Sequence, residues 1–162
     1  MKYAGIIEND IAAAPGMCVS FFTQGCPHHC PECHNPETWD FNGGKNFTKD
    51  TIQQILNALK ANGIDRKLCI MGGEPLCPNN LEVTAKVIKE TKKEFPNKEI
   101  FLWTGYTLQE LKNNNNNKET ELLNFILNNI NCLIDGRYEK DKKDTTLFMR
   151  GSSNQNIYYF DK

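Results

Sequence analysis

Short apolar runs alternate with amphipathic helical patterns along this chain, and the alternation limits the folds that it can adopt. Apolar residues recur at helical spacing in segments 52–59, 81–88 and 122–130. Each helical segment is followed by a short apolar run typical of a buried strand. Strands are predicted at residues 17–23, 68–71, 100–103, 132–134 and 157–160. The pattern predicts an α/β fold in which helices flank a mostly parallel sheet.

No segment divides the chain into separate units. The 162 residues contain no internal repeat and no proline-rich or serine-rich linker. The polar run Asn113–Asn117 has no apolar residue to anchor it, and we expect a surface loop or a frayed helix end there. We therefore expect residues 1–162 to form a single compact domain.

Charge and hydropathy argue against two classes of partner. The formal net charge is −1, without the basic excess that is typical of nucleic-acid-binding proteins. Glu8 and Asp10 interrupt the amino-terminal segment, and no stretch approaches the roughly 20 apolar residues of a membrane helix. We expect a soluble, cytoplasmic protein that binds neither nucleic acid nor membrane.

Three of the seven cysteines fall within eight residues. An odd, clustered set in a reducing compartment more often binds metal than forms disulfides. Cys26, Cys30 and Cys33 form a CxxxCxxC pattern directly after a predicted strand, so three thiolates can converge on one centre. Cys69 and Cys132 lie inside apolar runs, and we expect both in the core.

Thiolates at this spacing suit either an iron–sulfur cluster or zinc. A four-iron cluster held by three cysteines would leave one iron free to bind a substrate. A structural zinc site would need a fourth ligand, such as His28, His29 or His34. The spacing alone leaves both open. The absence of a second cysteine pair at zinc-ribbon spacing, in an α/β chain of enzyme-like size, favours the cluster.

A second motif, Gly72-Gly73-Glu74-Pro75, follows the predicted strand 68–71. Two glycines at a strand end can expose backbone groups to a small polar ligand, and Glu74 can pair with an ammonium group. Ligands of open α/β folds bind at the carboxyl ends of strands, so we expect both motifs to face one pocket. A tight turn with a solvated glutamate is the alternative for so short a motif.

Together the two motifs resemble the radical-SAM superfamily. More of the chain is similar to one branch, the anaerobic ribonucleoside-triphosphate reductase activating proteins. The similar segments are FFTQGCPHHCPECHNPETWDFNGG, IMGGEPL, FLWTGYT, LIDGRY and FMRGSSNQNIYYF. The resemblance implies a partial, truncated TIM-like barrel of the radical-SAM type.

The resemblance also implies two cofactors and the residues that hold them. Cys26, Cys30 and Cys33 would ligate three irons of a [4Fe–4S] cluster, whose fourth iron would bind S-adenosylmethionine. Glu32 departs from the family pattern, because that position is often aromatic. The implied cofactor-binding residues are Glu32, Cys33, His34, Gly72, Gly73 and Glu74.

The implied function is that of a glycyl-radical activase. An electron from a flavodoxin-like donor would cleave S-adenosylmethionine to methionine and a 5′-deoxyadenosyl radical. That radical would generate a glycyl radical on the large subunit of the anaerobic ribonucleotide reductase. Two alternatives stay open: a small-molecule radical-SAM enzyme similar to 7-carboxy-7-deazaguanine synthase, and a non-catalytic zinc module.

Residues near the later strand ends are further candidates for the pocket. Residues 103–106 could line it, although Trp103 and Tyr106 also suit the core and rim. Residues 135–137, including Arg137, could contact the ribose or the methionyl carboxylate, or form a loop turn with a solvated Asp–Arg pair. Arg150 and residues 151–155 have the polar character of a docking loop or of an ordinary surface turn.

Overall fold

A seven-stranded sheet runs through the computed structural model, which describes residues 1–160. The strands in chain order are β1 (Lys2–Asp10), β2 (Cys18–Thr23), β3 (Lys45–Asn46), β4 (Lys67–Gly72), β5 (Ile100–Trp103), β6 (Cys132–Asp135) and β7 (Asn156–Tyr159). Their order across the sheet is β3-β1-β2-β4-β5-β6-β7. The neighbours among β2, β4, β5 and β6 are parallel, whereas β1, β3 and β7 pair antiparallel at the two sides. The predicted α/β class is confirmed.

Four α-helices connect or flank the strands, with short 3-10 helices at 36–38, 61–63 and 140–142. The α-helices are α1 (Lys49–Lys60), α2 (Leu81–Glu94), α3 (Leu108–Lys112) and α4 (Asn117–Asn129). The asparagine run separates α3 from α4. Asn113 ends α3, and the Asn116 side chain caps α4 by accepting a hydrogen bond from the Glu119 N–H. Every helix in residues 1–160 is too short or too polar to span a bilayer.

The core lies between the parallel strands and the apolar faces of the helices. Phe21, Ile70 and Leu102 on neighbouring strands are fully buried and pack in one apolar cluster with residues from α1, α2 and α4. Cys69 and Cys132 are also fully buried, which confirms their prediction as core residues. Because parallel strands all end on the same side, this packing places the loops after β2, β4, β5 and β6 at one edge of the sheet.

The predicted strands are all present, and each of their ends differs from the prediction by at most one residue. Two strands and one α-helix were not predicted, namely β1, the two-residue β3, and α3, and neither were the three 3-10 helices. Strand β1 has a mixed sequence, KYAGIIEND, and exposes Ile7 and Glu8. Its conformation depends on antiparallel pairing with β2, which a local apolar pattern does not reveal.

Candidate functional site

The loops after β2, β4 and β5 surround a cavity of about 200 Å³ at the carboxyl edge of the sheet. All three clustered cysteines line it, as do Gly72, Gly73 and Glu74. We refer to residues 25–34 as the cysteine loop and to residues 72–75 as the GGEP loop. The structure brings the two loops together around one cavity, as the sequence predicts.

The start of the cysteine loop is fixed by hydrogen bonds to the segment that follows it. The Gly25 N–H donates to the Thr38 carbonyl at 2.6 Å, and the Cys26 N–H donates to the Trp39 carbonyl at 3.2 Å. Gly25 has a φ of 101°, and a Cβ there would lie 2.1 Å from the Phe41 ring. A glycine is therefore required for the chain to turn from β2 into this loop.

The rest of the cysteine loop is tightly turned. His29 and Glu32 have positive φ angles of 50° and 59°, and the Cys33 N–H donates to the Cys30 carbonyl at 3.1 Å. The His29 ring stacks on Trp39 with a centroid distance of 4.6 Å. These turns keep Cys26, Cys30 and Cys33 on the wall of the same cavity.

The clustered cysteines are free thiols. Burial raises the pKa of Cys26 to about 11, against a backbone hydrogen bond at His28 that lowers it. Burial also raises the pKa of Cys30. Both groups are therefore protonated at neutral pH in the metal-free protein, and metal binding must displace their protons.

Within residues 1–160, no three His, Cys, Asp or Glu side chains converge closely enough to hold a single metal ion. A four-iron cluster makes a different geometric demand, because each cysteine binds its own iron. Three thiols around one cavity provide the soft donors that such a cluster requires. The residues present therefore fit an iron–sulfur cluster.

Glu74 in the GGEP loop is fully buried, so the alternative of a solvated turn is wrong. Its Oε1 accepts hydrogen bonds from the Thr104 hydroxyl at 2.6 Å and the Leu76 N–H at 2.9 Å. Its Oε2 accepts from the Gly105 N–H at 2.6 Å and lies 2.8 Å from His28 Nε2. Both carboxylate oxygens are thus occupied by groups of the chain itself.

Gly73 and Glu74 tie the GGEP loop to the end of β2 and to the start of the cysteine loop. The Gly73 N–H donates to the Thr23 carbonyl at 2.9 Å, and the Glu74 N–H donates to the Gly25 carbonyl at 2.8 Å. A Cβ on Gly73 would lie 2.4 Å from the Gly25 carbonyl oxygen. Gly73 thus allows close contact between the two loops, and both Gly72 and Gly73 also line the cavity, where the sequence suggested that they meet a ligand.

A second, larger groove of about 410 Å³ adjoins the cavity, because Met71, Trp103, Tyr138 and Gln155 line both. Its volume lies in the range of small-molecule sites, about 300–1,000 Å³. Apolar atoms dominate its walls, and Arg150 contributes a positive charge. The groove therefore offers room for a ligand larger than a metal centre, directly beside the cavity that the cysteine loop lines.

Comparison with known proteins assigns the chain to a family. Residues 12–158 match the family described as a 4Fe-4S single cluster domain. A protein of Pasteurella multocida named anaerobic ribonucleoside-triphosphate reductase-activating protein is 42% identical over 161 residues, covering 99% of this chain and 98% of that protein. This chain belongs to the anaerobic ribonucleoside-triphosphate reductase-activating protein family.

Two further members of the reductase-activating family show how far the similarity extends. The protein of Escherichia coli K12 is 38% identical over 160 residues, covering 98% of this chain and 99% of its own length. The protein of Enterobacteria phage T4 is 35% identical and covers 98% and 94% of the two chains. The family assignment supports an iron–sulfur cluster, since the matched 4Fe-4S domain includes the cysteine loop.

Of the other residues predicted for the site, some line the cavity or the groove and others do not. Thr104 and Gly105 line the cavity, and His34 lines the adjoining groove with its ring 5.3 Å from that of Tyr138. Glu32, by contrast, is exposed and lies outside both linings. Its predicted place beside the cofactor gains no geometric support.

The residues at the end of β6 and just after it have mainly structural contacts. Asp135 is buried, accepts hydrogen bonds from the Leu108 N–H at 2.8 Å and the Asn156 N–H at 3.2 Å, and lies outside the linings of the cavity and the groove. Arg137 forms a bidentate pair with Glu110, with N–O distances of 2.8 and 3.0 Å. The hydrogen bond from Arg137 holds the pKa of Glu110 down at about 2.

Residues 151–155 fold back onto the end of β6. Gln155 Oε1 accepts hydrogen bonds from the Gly151 and Ser152 N–H groups at 2.8 and 3.1 Å, and Nε2 donates to the Gly136 carbonyl at 2.9 Å. This stretch is therefore an ordered wall of the site. Sequence reasoning missed His28 as a partner of Glu74, and it missed Asn35 and Tyr138 in the cavity wall. The local signal was that all three residues lie within family-like segments: His28 and Asn35 in FFTQGCPHHCPECHNPETWDFNGG, and Tyr138 in LIDGRY.

Proposed function

We propose that this chain is a radical-SAM activase of the anaerobic ribonucleotide reductase. Cys26, Cys30 and Cys33 would hold a [4Fe–4S] cluster, and the adjoining groove would receive S-adenosylmethionine. The main support is that three clustered cysteines and the GGEP loop line one cavity, in a chain whose relatives are named reductase-activating proteins.

The chemistry of this proposal comes from the cofactors. A bound cluster would supply the electron that splits S-adenosylmethionine into methionine and a 5′-deoxyadenosyl radical. The chain would supply placement and exclusion of water. Met71, Trp103 and Met149 give the groove apolar walls, as a reactive radical requires. No acid or base from the chain is needed.

The GGEP loop would have a more indirect part than the sequence suggests. Glu74 remains our candidate for the ammonium group of S-adenosylmethionine, together with Gly72 and Gly73. Because four donors of the chain already surround its carboxylate, the ammonium would have to share or displace one of them. Glu74 would thus fix the loops and also favour a cationic ligand beside them.

The partner would be the large subunit of the reductase, whose target glycine would enter beside the groove. Ile11 and Phe148 are 77% and 52% exposed, and their neighbours Ala12, Leu147 and Met149 line the groove. Exposed apolar residues next to a reactive site suit docking of a protein segment. The same proposal includes a flavodoxin-like electron donor and a cytoplasmic location. It also includes a sheet that curves as a partial TIM-like barrel.

Anaerobic turnover tests the reaction. We expect the protein, reconstituted with iron and sulfide, to convert S-adenosylmethionine to methionine and 5′-deoxyadenosine when a strong reductant is added. Cys30→Ala should form neither product. An iron-loaded wild-type protein that forms no 5′-deoxyadenosine would refute the radical-SAM reaction, and zinc without iron or sulfide in anaerobically purified protein would favour the zinc module.

A further inference from the structure

His28 lies inside the cysteine loop, between Cys26 and Cys30, but its side chain points into the protein. The side chains of His28 and Glu74 are only 5% and 1% exposed, and Nε2 lies 2.8 Å from Oε2. A carboxylate oxygen accepts, so Nε2 carries the hydrogen and donates it. The middle of the cysteine loop is thus joined to a residue 46 positions away.

Glu74 is a rigid partner for this contact. The Thr104 hydroxyl and the Leu76 and Gly105 N–H groups hold its two oxygens at 2.6–2.9 Å. These donors come from the loops that follow β4 and β5. His28 therefore hydrogen-bonds to a point that the ends of two central strands fix in space.

The protein has a slot that matches the His28 ring. A Cβ on Gly105 would lie 2.5 Å from His28 Cδ2 and 2.7 Å from Nε2, so only a glycine leaves room for the imidazole. The Tyr106 ring meets the imidazole edge to face, with centroids 4.6 Å apart. Packing and hydrogen bonding thus select one orientation of His28.

We propose that His28 is a positioning residue for the metal centre. By donating to Glu74, it fixes the segment between Cys26 and Cys30 and sets the separation of their sulfurs before the cluster binds. Because the hydrogen bond already orders this segment, cluster binding does not have to supply the free energy of ordering it. The protein therefore holds the cluster more tightly. This inference rests on the iron–sulfur part of the proposed function.

Two substitutions separate the hydrogen bond from the bulk of the side chain. His28→Gln keeps an N–H donor of similar reach, whereas His28→Leu fills the slot without a donor. His29→Gln is the matched control, because His29 lies in the same loop but is exposed and stacks on Trp39. Gly105→Ala displaces the imidazole without removing it.

The measurements are iron and sulfide content after anaerobic reconstitution, the rate of iron loss to a chelator, and the electron paramagnetic resonance spectrum of the reduced cluster. We expect His28→Leu and Gly105→Ala to lose iron about ten-fold faster or more, as loss of a charge-assisted hydrogen bond predicts. Their spectra should shift, while His28→Gln and His29→Gln stay close to wild type. Thermal unfolding of the iron-free variants identifies any that fail to fold.

Wild-type retention and an unchanged spectrum in either folded His28→Leu or folded Gly105→Ala would overturn the positioning role. Equal losses in His28→Gln and His28→Leu would also overturn it, because the donor would then be irrelevant. If wild-type protein takes up no iron–sulfur cluster, the proposed function itself is wrong. The two failures are therefore distinguishable.

Discussion

Gly73 lies so close to Gly25 that a Cβ on Gly73 would be 2.4 Å from the Gly25 carbonyl oxygen. The contact joins the end of β4 to the loop that carries the three clustered cysteines. Backbone atoms on both sides leave little room for adjustment. The GGEP loop and the cysteine loop can therefore lie this close only because residue 73 has no side chain.

Gly73→Ala is expected to push the two loops apart. We expect a loss of about 1–3 kcal/mol in the free energy of unfolding, as for other overpacked sites, together with lower iron uptake. Gly5→Ala is the matched control, since a Cβ there has no neighbour within 4 Å. Denaturant unfolding and iron analysis test this. Equal stability and iron content in Gly73→Ala and wild type would show that the loops can separate without harm.

Alanine substitutions should affect cluster binding at the clustered cysteines but not at the core cysteines. Replacing Cys26, Cys30 or Cys33 by alanine should abolish retention of the cluster, because three ligands are needed to hold it. Cys69→Ala and Cys132→Ala should retain iron, since both side chains lie in the core away from the cavity. Iron and sulfide analysis of the folded proteins tests this. Full iron in Cys26→Ala with none in Cys69→Ala would refute the ligand assignment.

Glu74→Ala should destabilise the protein even without iron or cofactor. The substitution removes the acceptor for donors of Thr104, Leu76, Gly105 and His28. Leaving buried donors unpaired costs about 1–3 kcal/mol each, and we expect a loss of at least about 2 kcal/mol in total. Denaturant unfolding of the iron-free protein measures it.

The control for this change is Glu82→Ala. Glu82 is an exposed glutamate paired with Lys118 at the surface, where such a pair contributes less than about 1 kcal/mol. If Glu74→Ala and Glu82→Ala lose the same stability, the buried carboxylate is not a structural anchor.

The Glu110–Arg137 pair should give a small stability difference that depends on pH. The pKa of Glu110 is about 2 in the folded protein and about 4.3 in an unfolded chain. The pair therefore stabilises the fold above about pH 4.3, and this contribution is lost as the pH falls through about 2. Glu110→Gln keeps the helix cap but should lose under about 1 kcal/mol at pH 7, because the pair is exposed.

Urea unfolding of wild type and Glu110→Gln from pH 7 to pH 2 checks the sign. The difference in unfolding free energy should shrink towards zero at the acidic end. A difference that grew as the pH fell would show that Arg137 does not lower the pKa of Glu110.

The centre of the fold could be predicted because its strands are buried. Strands β4 and β5 contain continuous apolar runs, and α2, the helix between them, carries a regular apolar face. Strand β1 could not be found in this way. It lies beside the edge strand β3, exposes Ile7 and Glu8, and is defined by its pairing with β2.

In the candidate site, too, some residues could be predicted from the sequence and others could not. Spacing along the chain was enough to single out Cys26, Cys30 and Cys33, because the cavity collects residues that are already neighbours in sequence. The contact of His28 with Glu74 spans 46 residues, and that of Gln155 with Gly136 spans 19. Such contacts depend on how the strand ends are packed, so no local pattern predicts them. The burial of Glu74 depends on the same packing.

Under the proposed function, this chain generates a radical on a glycine of its partner. The direct test mixes the reduced, iron-loaded protein and S-adenosylmethionine with the large reductase subunit, and records the electron paramagnetic resonance spectrum. A large subunit with the target glycine changed to alanine is the control. We predict a carbon-centred glycyl signal that is absent from the control. No signal from a protein that does cleave S-adenosylmethionine would contradict the activase assignment and favour a small-molecule substrate, and a signal that persists in the control would place the radical elsewhere.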